Sequence, residues 1–295
     1  MNDPVASIET YVVDLSQDKP YLGTLREGEA ADPQGYFIRK RNGTVYPTKN
    51  QSLVIRVVTK DGVEGWGETY GIVAARATAE IINDLLAGFV IGSDPFDVAA
   101  THDRLYDLMR VRGYVGGFYL DALAGIDIAL WDIAGRKAGL PVHKLLGGRY
   151  HDKIHCYVSG LPKDTLEERC AFACEWKDKG FDAVKFASPV ADDGVLAEVR
   201  ELRKALGNDV KIACDLHWTQ TTSSAIELSR QIAPYDPWFI EAPLPSEDVE
   251  GLAQVAARCG QTVAVGEEWR TVFDARQRID AKAGESLIHP QLGGV

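Results

Sequence analysis

Short apolar runs alternate with amphipathic stretches along this chain, and the texture changes near residue 154. Before that point, Ile8–Val13 reads as a strand. Residues 16–49 are polar and rich in Gly, Pro and charge, which predicts a long mobile loop. Ser52–Thr59 runs into the hairpin signal Asp61-Gly62, and Val63–Glu68 reads as the returning strand. Helical patterns follow over Ala74–Ala87 and Asp97–Met109. After residue 154 the apolar runs are Ile154–Val158, Ala183–Phe186, Val210–Cys214, Trp238–Ile240, Val263–Val265 and Ser286–Ile288. Between them lie the helical stretches Leu166–Lys179, Val195–Leu206, Ser224–Ile232 and Val249–Cys259. Strand–helix alternation with short loops predicts parallel pairing by right-handed crossovers, hence an α/β chain. The expected layout is an N-terminal α+β domain over residues 1–120, with a lid loop, and a (β/α) barrel over residues 121–295. No GxGxxG follows the first run, which disfavours a dinucleotide-binding sheet. Six runs fall short of the about eight strands of a closed barrel. The expectation is a barrel truncated after its sixth strand, whose open edge favours self-association into homo-oligomers.

The strand ends carry the candidate chemistry. Asp215, Glu241 and Glu267 each follow an apolar run and are spaced 26 residues apart, one βα unit each time. All three should reach the C-terminal rim, where barrel enzymes place their active sites. Three converging carboxylates repel one another unless a cation joins them, and an all-oxygen donor set suits Mg2+, or Mn2+, better than zinc or copper. Lys185 ends the second run, 30 residues before Asp215. His217 lies two residues after Asp215, and strand alternation puts both on one side. An imidazole there suits general acid–base work. The net charge of −11 disfavours a nucleic-acid partner. No apolar run is long enough to span a membrane, and Met1-Asn2-Asp3-Pro4 does not start a secretory signal, so the expected location is the cytoplasm. The five cysteines form no CxxC pair and read as reduced thiols.

Longer motifs add a family. The segment from Ala122 through Gly125, Asp127, Ala129, Trp131, Asp132 and Gly135-Arg136 to Pro141-Val142 and Leu145-Leu146-Gly147 resembles the first signature of the mandelate racemase/muconate lactonizing enzymes. The segment from Ile212 through Asp215, His217, Ala225 and Ile232 to Glu241-Ala242-Pro243 resembles the second, departing at Ala242, where a polar residue is usual. Gly65-Trp66-Gly67-Glu68 is typical of the N-terminal unit. The resemblance to this enolase-superfamily family implies a capping domain on a modified (β/α)7β barrel. It implies magnesium on Asp215, Glu241 and Glu267, with Glu268 as the neighbouring alternative. It also implies α-proton removal from a carboxylate substrate through a metal-stabilised ene-diolate.

Many racemases and lactonizing members carry Lys-x-Lys on the second strand, whereas this chain reads Lys185-Phe186-Ala187. The Asp215-x-His217 pattern resembles the galactonate, mannonate and rhamnonate dehydratase type. The expected activity is dehydration of an aldonic or aldaric acid to a 2-keto-3-deoxy acid, with Lys185 and His217 as the catalytic pair. The alternatives are a racemase or cycloisomerase using Lys185, and a non-catalytic member that only binds metal or ligand. Gln291 stands where an aspartate usually supports a second base. Tyr114, Trp218 and Trp269 are candidate pocket residues, and His143 reads as structural.

Overall fold

The computed structural model describes residues 3–15, 19–20 and 22–284, together with the strand at 287–288. Its strands, in chain order, are β1 (Val5–Leu15), β2 (Tyr36–Arg39), β3 (Thr44–Pro47), β4 (Asn50–Thr59), β5 (Glu64–Thr69), β6 (Val158–Ser159), β7 (Ala183–Ala187), β8 (Lys211–Asp215), β9 (Phe239–Glu241), β10 (Thr262–Val265) and β11 (Leu287–Ile288). The chain divides into two compact units, one from residues up to 17 and 49–154, the other from 18–48 and 155–290.

In the first unit β1, β4 and β5 form an antiparallel sheet in the order β1-β4-β5. Alternation along β4 buries Leu53, Ile55 and Val57 completely. The helix Gly117–Ala138 covers them with Ala122, Ile126, Ala129 and Ile133. The Gly-Trp-Gly-Glu motif now has a physical reason. A Cβ on Gly67 would collide with the carbonyl oxygen of Gly125, and one on Gly65 with that of Ala129. Helix backbone therefore lies directly on strand backbone. Gly67→Ala should destabilise the protein by about 1–3 kcal/mol through overpacking, read as a lower urea midpoint at unchanged slope.

This helix also corrects the expected domain boundary. Residues 117–138 pack on β4 and β5, so the contact boundary falls at 154/155 rather than at 120. The polar stretch 16–49 differs from expectation too. Most of it belongs to the second unit and contains the hairpin β2–β3. Leu22, Phe37 and Tyr46 from this stretch pack on Ala187 and Val190. Arg39 and Glu29 form a buried ion pair at 2.9 Å. The apolar positions are too few and too widely spaced among polar ones to show as a pattern.

The second unit holds a six-stranded sheet in the order β6-β7-β8-β9-β10-β11, with every observed pair parallel. Helices Leu166–Asp178, Val195–Leu206, Thr222–Ile232, Val249–Arg258 and Val272–Asp280 connect successive strands. Capping boxes at Thr165, Thr221 and Thr271 fix three of the helix starts. Val184, Phe186, Ile212, Cys214, Ile240, Val263 and Val265 pack in the main core with the helices. Ala213, Phe239 and Ala264 form a separate buried cluster with Tyr157 and Trp238. The run expected at Ile154–Val158 becomes a strand only at Val158–Ser159; Ile154 is 81% exposed. Gln291 lies outside the described residues, so the expectation attached to it stays with the sequence. No helix among the described residues is long and apolar enough to cross a membrane.

Candidate metal centre

Parallel register builds the site. Ala187 pairs with Asp215, and Asp215 with Glu241, so both acids sit at neighbouring strand ends. Glu241 pairs with Ala264, and the chain then passes Val265 and Gly266 to reach Glu267. Gly266 has φ 122°, a region that L side chains avoid, and this bend brings Glu267 to the other two. One oxygen from each of Asp215, Glu241 and Glu267 lies within 4.8 Å of the others. Glu267, not Glu268, completes this group.

The backbone beyond the strands is held in unusual conformations. His217, Trp218 and Ala242 have φ of 48°, 58° and 44°. Each costs about 1–2 kcal/mol for a residue with a Cβ. Hydrogen bonds between the strand ends hold them: Leu216 N donates to Glu241 O at 2.9 Å, Trp218 N to Ala242 O at 2.7 Å, and Ala242 N to Ala264 O at 3.0 Å. Strand alternation is therefore not what brings His217 to Asp215. β8 ends at Asp215, and a left-handed turn swings the imidazole back. His217 N donates to Asp215 Oδ1 at 3.1 Å. His217 Nδ1 lies 2.9 Å from the same oxygen, an ion-pair distance, although outside hydrogen-bonding angles.

Lys185 is 8% exposed. Its Nζ donates to Glu241 Oε2 at 2.5 Å and lies 3.8 Å from Asp215 Oδ2. Burial would lower its pKa, but Asp215 and Glu241 outweigh burial and hold it protonated. Burial likewise opposes the charged forms of Asp215 and His217, and each is the other's strongest support. The aspartate stays below, and the imidazole above, its ordinary range. Glu267 is pushed up to about 7, first by burial and then by Asp215 and Glu241. Buried, mutually repelling carboxylate oxygens are a donor set that fits a hard divalent cation.

That repulsion gives a pH signature. With cation chelated away, the raised Glu267 carboxyl contributes stability that is full below the ordinary glutamate pKa of about 4.3 and is lost as pH rises through about 7. A bound cation needs the ionised form. Cation affinity should therefore fall by up to about tenfold per pH unit below 7 and level off above it. Calorimetric titrations in buffers of different ionisation enthalpy should show proton release at about pH 6 and little at about pH 8.

Among the other expected site residues, Trp218 packs edge-on to His217 with ring centroids 5.6 Å apart. It also lines a small cleft with Glu241 and Glu267. Trp269 is a core residue, 5% exposed, with the Arg278 guanidinium 5.7 Å from its ring. Tyr114 is exposed in the first unit, and His143 is exposed on the short helix Val142–Leu145. Sequence reasoning missed Tyr157, whose ring centroid lies 5.9 Å from Lys185 Nζ. An aromatic in the first apolar run, two residues before the partner of Lys185, was the available signal.

Comparison with known proteins agrees with the motifs. The profile of the mandelate racemase/muconate lactonizing enzyme N-terminal domain matches residues 42–147, and that of the enolase C-terminal domain-like family matches residues 168–292. A D-galactonate dehydratase of Ralstonia pickettii is 34% identical over 268 residues, covering 85% of this chain and 68% of its own. A Sinorhizobium meliloti protein provisionally named an isomerase superposes with TM-score 0.96 at 56% identity, covering 99% of this chain and 75% of its own. The 3,6-anhydro-D-galactonate cycloisomerase of Zobellia galactanivorans superposes with TM-score 0.81 at 25% identity, over 99% and 74%.

Proposed function

The chain belongs to the mandelate racemase/muconate lactonizing enzyme family of the enolase superfamily, and on that premise we propose that it dehydrates a sugar acid to a 2-keto-3-deoxy acid. The observation that carries the reading is the grouping of Asp215, Glu241 and Glu267 with Lys185 and His217 at adjoining strand ends. The three carboxylates would hold Mg2+, and the donor set also suits Mn2+. When bound, the cation supplies positive charge beside the substrate carboxylate, where negative charge grows as the α-proton leaves.

The protein's own groups divide the remaining work. Lys185 is held protonated by two carboxylates and offers a cation and donor to the substrate carboxylate. His217 sits against Asp215, which favours its protonated form and fits it to deliver a proton to the departing β-hydroxyl. A base takes the α-proton, the β-hydroxyl leaves as water with the proton from His217, and the enol that remains becomes the 2-keto acid. The galactonate dehydratases among the relatives support an aldonate substrate.

A second reading is an isomerase built on Lys185, supported by the neighbour at 56% identity that is provisionally named an isomerase and by the cycloisomerase neighbour. Mass separates the two. Incubation with Mg2+ and a panel of aldonic and aldaric acids and their lactones should yield a product lighter by one water that reacts as a 2-keto acid. Turnover without mass change would favour the isomerase, and no product from any acid would remove both.

A further inference from the structure

Lys185 has a place in this centre apart from any contact with substrate. Its ammonium group donates to Glu241 Oε2 at 2.5 Å and is 3.8 Å from Asp215 Oδ2. The side chain is walled in. It is 8% exposed, and the Tyr157 ring lies 5.9 Å from its Nζ. That ring is fixed edge-on against Trp238 and Phe239, with centroids 5.9 and 6.1 Å away. On the strand side, Lys185 is set by its register with Ser159 and Ala213. A buried lysine beside two carboxylates gains little by swinging elsewhere, because any other position would leave the charges without their partner.

We propose that Lys185 is a positioning residue that makes the centre selective for a small octahedral cation over calcium, by engaging Oε2 of Glu241 so that this carboxylate cannot clasp a cation with both oxygens.

The physical argument is one of ligand count. Mg2+ takes six oxygens at about 2.0–2.1 Å in near-ideal octahedral geometry. Ca2+ takes 6–8 at about 2.3–2.6 Å and readily uses both oxygens of a carboxylate. Tethering one oxygen to an ammonium group withdraws the bidentate mode that calcium exploits and costs magnesium nothing. The positive charge of Lys185 acts differently. It opposes both divalent ions about equally, since their charges are the same. The ratio of the two affinities therefore isolates the tether from the charge.

This inference rests on the reading that the three carboxylates hold a divalent cation, but not on the identity of the substrate. The test uses the full chain, without substrate, and measures Mg2+ and Ca2+ dissociation constants by calorimetry. Lys185→Met should tighten both ions, because a like charge is gone, and tighten Ca2+ more, moving the Mg:Ca ratio toward calcium by about tenfold. A ratio within twofold of wild type overturns the proposal, whatever happens to the separate affinities. If Lys185→Met does not fold, Tyr157→Leu decides. It keeps the charge and removes the aromatic ring that walls in the ammonium group, so a shift of about two- to threefold toward calcium supports the tether and no shift overturns it. A wild-type protein that binds neither ion overturns the metal centre itself, a result distinct from an unmoved ratio.

Discussion

Glu241→Gln should abolish whatever turnover the acid panel reveals, with kcat/KM falling on the order of a thousandfold or more at saturating Mg2+. Glutamine keeps the shape and removes one of three anionic donors whose oxygens lie within 4.8 Å of each other. It also takes away the carboxylate that receives Lys185 Nζ at 2.5 Å. A buried ammonium group whose remaining carboxylate partner among the described residues is Asp215 at 3.8 Å is costly, so stability should fall by about 3–5 kcal/mol. The informative comparison is therefore kinetic. The variant must show a cooperative unfolding transition, and its activity must fail to return as Mg2+ is raised. Turnover within tenfold of wild type would mean that Glu241 is not part of the cation site.

The second large effect is expected at His217. His217→Asn should lower kcat by about a hundred- to ten-thousandfold, the usual contribution of a positioned acid or base, with KM nearly unchanged. Asparagine is the suitable replacement because the local backbone asks for little else. His217 has φ 48°, a conformation asparagine tolerates better than most residues, and the backbone bond from His217 N to Asp215 Oδ1 needs no imidazole. Cation affinity should stay within a few-fold of wild type, since His217 is not one of the three oxygen donors. An unchanged kcat on a substrate that loses water would move the acid role to another group, with Lys185 next in line. If product formation proceeds without mass change and survives this substitution, the Lys185-centred isomerase becomes the better reading.

The two substitutions separate two parts of the site. Glu241 belongs to a rigid scaffold, fixed by ladder pairing of β8, β9 and β10. His217 belongs to a strained turn, held by bonds that continue between the strand ends after the strands have stopped. The first part should tolerate almost no change of charge. The second should tolerate changes of side chain that keep the left-handed backbone, and lose chemistry rather than structure.

The sequence by itself determined the parallel strand–helix order, the acids at the ends of its third, fourth and fifth apolar runs, and the family. All three follow from local information: a strand buried on both faces must be apolar, a helix covering it must be amphipathic, and a ligand must follow a strand at its rim. Asp215, Glu241 and Glu267 were legible because the βα unit that separates them has a near-constant length. The glycines of Gly65-Trp66-Gly67 were visible as a motif, but their reason, helix backbone lying on strand backbone, needed the fold.

Other features were decided only by tertiary structure. His217 reaches Asp215 through a left-handed turn, which no alternation rule can supply, because strand periodicity ends where the ladder ends. The polar stretch after β1 joins the second unit through the few apolar side chains Leu22, Phe37 and Tyr46 and the buried Arg39–Glu29 pair. Contacts so distant in the chain leave no periodic trace in it. Tyr157 meets Lys185 across 28 positions of sequence, from the start of one strand to its neighbour in the sheet. That proximity is a product of parallel register, and register is fixed by the packing of the whole sheet rather than by either residue.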